Sequence, residues 1–251
     1  MSSGGGGCLG GAYVAPTFLP MMLPKVRLWL DGTDIKGDGT VPISGSMSTW
    51  VDKSLNKNDA TQVEGSLMPF YNAAIKGVYF DGNLSEMTGA FSQNILGNSD
   101  WTVAAVGMSS SLPGISVFCG IGDSVALEAS CLMGSNASQD NAGVFGTFGG
   151  SESYVGVVPS SQHFSLMGTY QASDNTATAY TSNATGNHIV QGTGLNITVN
   201  LFSIGRLHDI DYKWNGYLFE FIVCNQIISS TQRTQLFKYL TDKWSIVPPP
   251  P

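Results

Sequence analysis

The sequence is poor in charge, and poorest in positive charge. Asp, Glu, Lys and Arg make up 12% of its 251 residues, against roughly 25% in an average soluble domain. There are 11 Lys and Arg against 18 Asp and Glu, for a net charge of −7. So few cations leave no basic stripe to follow a nucleic-acid backbone and nothing to draw the chain to an anionic bilayer. Neither nucleic acid nor membrane insertion is expected. Cysteine is scarce as well: Cys8, Cys119, Cys131 and Cys224, no two of them spaced CxxC, beside 3 His. The usual zinc-ligand patterns are therefore excluded. Cys119 and Cys131 are close enough in sequence to pair across a hairpin, but buried thiols acting as small core residues are the expectation. There is no G-x-S-x-G elbow, and no Gly-rich run leads into Lys-Ser/Thr and a helix. Nucleophile-elbow hydrolases and phosphate-loop enzymes are excluded on that ground.

Long apolar runs are missing too. The opening, MSSGGGGCLGGAYVAPTFLPMMLP, has no positive residue before Lys25 and is cut by Pro16, Pro20 and Pro24. It fits neither a secretory signal nor a membrane helix. Residues 1–24 read instead as an extended N-terminal arm, glycines first and then spaced prolines among Tyr13, Phe18, Leu19, Met21, Met22 and Leu23. The prolines forbid a regular helix, and the apolar side chains are costly in water. The arm is therefore expected to find its cover on a neighbouring subunit.

What the chain has in quantity is glycine, 31 residues, and short apolar runs that stop at turn residues. KVRLWLDG alternates and ends at Asp-Gly, and KGVYFDG ends in the same way. WTVAAVGM, SVFCGI, GVFGTF, NITVNLFSIG and YLFEFIVCN are bounded by Gly, Ser, Pro or Asn, and HFSLMGTYQ and ATAYTSN flank a polar turn at Ala172–Asn175. Many short strands with frequent turn signals predict an all-β fold, an antiparallel jelly-roll β-sandwich over residues 25–246. No repeat or composition break marks a second domain, and residues 247–251 form a Pro-rich tail. One stretch differs. Ser229 is a natural N-cap with Gln232 three residues on, and Leu236, Leu240 and Trp244 follow at helical spacing with Phe237 beside them. One short C-terminal helix of about four turns is predicted, lying on the sandwich and covering an open end of its core.

Together the segments LWLDGTD, WVDKSLNKNDATQ, GVYFDG and WTVAAVG resemble the opening of LamG-like domains, of the concanavalin A-like lectin/glucanase superfamily. FSIGRLHDIDYKWNGYLFEFIVCNQIISSTQRTQLFKYLTDKW resembles their ending. The resemblance covers roughly residues 25–246 and is weakest over 108–160. It implies two packed antiparallel sheets and a terminal helix that closes the domain. The family includes sugar-binding modules, adhesion domains, glycosidases and many phage fibre or capsid-associated proteins, so the fold alone does not choose a function.

Glu220 stands alone in an apolar strand, where strict alternation would put Leu218, Glu220, Ile222 and Cys224 on one face. A glycosidase needs two carboxylates facing the scissile bond. Enzymes of this fold commonly carry them as Glu-x-Asp-x-Glu, and no such triplet occurs here. Glu220 is therefore expected to be a buried, hydrogen-bonded structural acid, and the chain is expected not to be an enzyme. The candidate ligand surface is HDIDYKW. Asp209 and Asp211, at i and i+2, could contribute to an oxygen-rich Ca²⁺ site, and Tyr212 and Trp214 could stack on a sugar. The competing reading is a polar hairpin whose aromatics tuck into the sandwich; no metal or other cofactor is otherwise expected. A β-protein of extracellular type without a secretion signal fits a virion component released by lysis. The expected function is thus a non-enzymatic phage virion protein, a capsid decoration or tail-fibre component with a lectin-like domain facing outward. It would be a homo-oligomer, attached to other virion proteins through the arm and open to host surface glycans. The alternative is a soluble carbohydrate-binding or adhesion module, and the least favoured reading is a glycan hydrolase or lyase.

Overall fold

The computed structural model describes residues 18–111, 114–122, 130–136, 138, 142–147, 152–156, 158–159, 161–181, 187–189, 195–207 and 212–246. In chain order its strands are β1 (Val26–Asp31), β2 (Gly45–Ser46), β3 (Thr49–Trp50), β4 (Ala60–Thr61), β5 (Phe70–Asn72), β6 (Gly77–Asp81), β7 (Met87–Ala90), β8 (Trp101–Ser111) and β9 (Ile115–Gly122). They continue as β10 (Ser130–Asn136), β11 (Ala142–Thr147), β12 (Glu152–Val155), β13 (His163–Gln171), β14 (Thr176–Tyr180), β15 (Asn187–Ile189), β16 (Leu201–Ile204) and β17 (Asn215–Cys224), and helix α1 (Ser230–Trp244) follows. An eight-stranded sheet has the order β14-β13-β8-β17-β6-β5-β2, with β1 also on β17. A nine-stranded sheet has the order β15-β12-β11-β10-β9-β16-β7-β4-β3. All the pairings are antiparallel, and the two sheets form a sandwich with a single C-terminal helix among the described residues, as the strand pattern predicts.

Alternation along the strands separates two cores. Leu28, Leu30, Val103, Ala105, Phe221 and Val223 meet residues such as Phe118, Phe145 and Phe202 of the other sheet in the main core. Trp29, Ala104, Val106, Ile222 and Cys224 point to the opposite, outer face of the eight-stranded sheet. There they join Leu236, Phe237, Leu240 and Trp244 of α1. The helix thus covers the outer face of this sheet, not an open end of the main core. The reason is visible in β1, β8 and β17, which are apolar on both faces and so need a layer on each side. The helix starts as predicted: the Ser229 Oγ accepts from the Gln232 N–H at 3.3 Å, and the Gln232 Oε1 accepts from the Ser229 N–H at 2.9 Å.

The strand parity read from β17 needs one correction. Leu218 pairs with Gly107 but Glu220 pairs with Val106, so Phe219 is an extra residue in the ladder. This β-bulge puts Phe219 and Glu220 together on the outer face, with Leu218 and Phe221 inward. A bulge inserts one residue and so breaks the period of two.

Within the motif WVDKSLNKNDATQ, residues 51–59 form a loop between β3 and β4 that is fastened to β1. The Asp52 carboxylate accepts from the backbone N–H groups of Trp29, Ser54 and Asn58, each at 2.8 Å, and from Ser54 Oγ at 2.6 Å. Asn56 and Asn58 donate to the carbonyls of Val26 and Arg27. A buried edge of β1 is satisfied this way without a neighbouring strand, which is a structural task. In the arm, Phe18 and Met21 pack against the outer core, and Leu23, 5% exposed, is part of it. Phe18 also meets the ring of Tyr239. These three side chains find cover on their own domain, whereas Leu19 and Met22 stay exposed; Tyr13 lies outside the described residues. Cys224 is buried in the outer core, and burial pushes its thiol up to about 12. Cys119 is buried in the main core, and the side chain of Cys131 lies outside the described residues.

Candidate functional site

The acid singled out in the sequence lies in a sealed polar cluster beneath the helix. Glu220 is 0% exposed. Its Oε1 accepts from Trp29 Nε1 and from the Tyr239 hydroxyl, both at 2.8 Å. Its Oε2 accepts from Trp244 Nε1 at 2.6 Å and pairs with Lys243 Nζ at 2.9 Å. Lys243 reaches Asp31 Oδ1 at 2.8 Å, and Lys53 bridges Asp31 and Asp34 at 3.0 and 3.1 Å. Asp31 stands opposite Glu220 in the β1–β17 register. Burial dominates Glu220 and raises its pKa against the pull of Lys243, with the negative charge of Asp31 adding to the rise. Burial acts on Asp31 too, but Lys243, Thr33 and Lys53 outweigh it and hold that carboxyl below its usual range. Tyr239 is pushed upward, first by burial and then by the charge of Glu220. Four donors converge on one acid, which fits the acceptor-only carboxylate. The cluster fastens α1 to the sheet and offers no path to a substrate.

Of HDIDYKW, only Tyr212, Lys213 and Trp214 are among the described residues. Asp209 and Asp211 lie outside the described residues. Tyr212 is half-buried against Val117, Val144 and Leu207 on the outer face of the nine-stranded sheet. Trp214 is fully buried in the main core, its ring 5.2 Å from Phe118 and 5.9 Å from Phe164. It has no face to offer a sugar; the competing reading, aromatics tucked into the sandwich, describes it. Among the described residues no group of His, Cys, Asp and Glu is arranged to hold a metal ion, and no helix is long and apolar enough to cross a membrane.

A different surface emerges on the half of the eight-stranded sheet beyond the helix. Phe70 pairs with Tyr79, Tyr79 with Tyr217, Tyr217 with Met108, and Met108 with His163. Cross-strand partners share a face, so these five side chains form one row across β5, β6, β17, β8 and β13. Phe70 is 45% exposed, and the other four are half-buried. The rings of Tyr79 and Tyr217 lie 5.0 Å apart, and Phe219, brought outward by the bulge, stacks on Tyr217 at 6.1 Å. Gly77 makes room for it: a Cβ there would come within 2.6 Å of the Phe219 ring. Polar groups flank the row. Tyr79 donates to the Asn215 side-chain oxygen at 3.2 Å, and Asn72 and Asp81 border it two residues along β5 and β6. Asp81 Oδ1 accepts from the N–H groups of Asn83, Leu84 and Ser85 and from Ser85 Oγ. Those bonds overcome burial and bring its pKa to about 2. The first half of the row is thus aromatic and partly open to solvent, with Tyr217 also packed against the outer core, and amides and a firmly ionised carboxylate stand beside it. The alternation in GVYFDG and NGYLFEF marks Tyr79 and Tyr217 as outward. Nothing local shows that they are neighbours of each other and of Phe70.

The fold is an antiparallel two-sheet β-sandwich. No family model matches the chain, and no curated protein sequence matches it. Among solved structures it is similar to Trypanosoma rangeli sialidase in complex with sialic acid, with a TM-score of 0.58 and 15% identity over 89% of this chain and 34% of the sialidase. It is also similar to domain 4 of AbnA, an extracellular arabinanase from Geobacillus stearothermophilus, in complex with arabinotriose. There the TM-score is 0.53 and the identity 10%, over 85% of this chain and 98% of that domain. The binding domain of botulinum neurotoxin serotype D gives a TM-score of 0.55 at 8% identity, over 86% of this chain and 51% of that one. The chain therefore spans about a third of the length of the sialidase it matches. At these identities the likeness is one of fold.

Proposed function

We propose that this chain is a non-enzymatic, LamG-like carbohydrate-binding module whose sugar platform is the row Phe70, Tyr79 and Tyr217. The observation that carries the reading is the row itself: three rings side by side on adjacent strands, Phe70 exposed and Tyr79 and Tyr217 half-buried, bordered by Asn72 and Asn215. Aromatic faces cover the apolar C–H faces of sugars, and the amides exchange hydrogen bonds with hydroxyls. The likeness to an arabinanase domain bound to arabinotriose supports it. Catalysis has no part in the proposal. Glycoside hydrolysis calls for a pair of acids across the scissile bond; Glu220 is sealed under the helix and Asp81 is held ionised in a turn. The fold and the likenesses favour a binding module over the virion component. The cover that Phe18, Met21 and Leu23 find on their own helix also removes one motive for docking the arm elsewhere. A glycan array followed by titration calorimetry tests the reading. At least one glycan should bind, and Tyr79→Ala should weaken it about tenfold or more, about 1.4 kcal/mol, with the melting temperature little changed. An array without a binder, or a binder indifferent to Tyr79→Ala and Phe70→Ala, refutes the platform.

A further inference from the structure

The direction and pitch of the row specify the shape of its ligand. Ser46 pairs with Phe70 at the β2 edge, so the line Ser46, Phe70, Tyr79, Tyr217, Met108, His163 crosses six adjacent strands at right angles to them. Adjacent strands lie about 4.8 Å apart, so the line is about 24 Å long. One strand step is close to the advance of one pyranose unit in an extended glycan. The 5.0 Å between the Tyr79 and Tyr217 rings shows the side chains keeping that step. The line is open at Ser46, which is exposed, and ends at His163, whose Nδ1 lies 2.9 Å from the Trp244 carbonyl at the end of α1. Its usable part is the run from Phe70 to Met108, in which Tyr217 and Met108 are half-buried and pack on one side against the outer core. No side chain between Ser46 and Met108 is charged, the ionised Asp81 stands beside Tyr79, and the chain carries −7 overall. An anionic ligand would meet repulsion here.

We infer that the row binds an extended, uncharged glycan laid across the strands, about one sugar unit per strand, with affinity set by chain length. The inference rests on the carbohydrate-binding reading and adds to it the ligand's length, direction and charge. It is tested by calorimetry on the full chain with cello-, xylo- and arabino-oligosaccharides of two to six units, and with 3′-sialyllactose as the anionic probe. For an uncharged series that binds, affinity rises about tenfold or more from two units to four and then levels off, one added contact per strand step. Phe70→Ala, at the open end, weakens the four-unit ligand but not the two-unit one, and Tyr79→Ala weakens both; unchanged melting curves confirm that the variants fold. Affinity independent of length, equal losses on short and long ligands in Phe70→Ala, or preference for sialyllactose overturns the inference and leaves sugar binding standing. Absence of binding to all these probes overturns the inference; only an array empty of every glycan takes the carbohydrate reading with it.

Discussion

Replacing Glu220 by Gln keeps the size of the side chain and changes one acceptor into a donor. In the native chain each carboxylate oxygen faces two donors: Trp29 Nε1 and the Tyr239 hydroxyl on one side, Trp244 Nε1 and Lys243 Nζ on the other. Whichever way the Gln amide turns, its NH₂ meets a pair of them. The milder orientation sets it against Trp29 and Tyr239, whose hydroxyl can rotate to accept, but it still leaves an indole N–H unsatisfied in the core. Removing one partner of a buried ion pair costs about 3–5 kcal/mol. Lys243 keeps Asp31, and its bond to Tyr239 at 2.9 Å, so the low end applies, about 3 kcal/mol. For a chain of this size each kcal/mol moves the melting temperature by about 2–4 °C, so a fall of about 6–12 °C is expected. Thermal and urea unfolding followed by circular dichroism and tryptophan fluorescence measures it. Lys243→Met and the double variant complete a cycle whose coupling should exceed about 1 kcal/mol. A melting temperature for Glu220→Gln within about 1 °C of wild type would show that the cluster does not fasten the helix, and the reasoning would fail.

The same cluster gives opposite pH signatures. Glu220 has its pKa raised above 4.5, so between 4.5 and the raised value the folded chain holds a proton that the unfolded chain has released, and above that value Glu220 is the ionised acceptor of the four donors. Wild-type stability relative to Glu220→Gln therefore falls as pH rises from 4.5 through the raised value, and the deficit of the variant is largest on the acid side. Asp31 has its pKa lowered from 3.8, so the deficit of Asp31→Asn should be full above 3.8 and shrink as pH falls through the lowered value. Urea titrations at stepped pH that give both variants the same slope would contradict this. Leu240→Ala, in a fully buried position on the sheet, should cost about 2–5 kcal/mol, whereas Lys238→Ala, in an exposed pair with Asp242, should be nearly neutral by the same melts. Leu23→Ala should cost about 2–5 kcal/mol; a neutral result would mean that residues 18–24 are not part of the outer core.

Local chemistry was enough to determine much of this protein from its sequence. Strands that end at Asp-Gly, the hairpin turn at Ala172–Asn175 and the Ser229–Gln232 capping box each depend on residues a few positions apart, and all stand where the sequence places them. The isolation of Glu220 without a second acid nearby on its strand already argued for a structural carboxylate. The tertiary structure alone decided what depends on register and on distant partners. One extra residue at Phe219 rotates the faces of β17, and no period of two reveals a bulge. Which side of the sandwich α1 covers follows from β1, β8 and β17 becoming adjacent, since only then do their two apolar faces demand two layers. Trp214 and Tyr217 are three residues apart and equally aromatic, yet one fills the main core and the other lies half-buried on the outer face beside a tyrosine 138 positions earlier in the chain. A binding row that crosses strands is written in the pairing of the sheet, and pairing is a property of the folded chain.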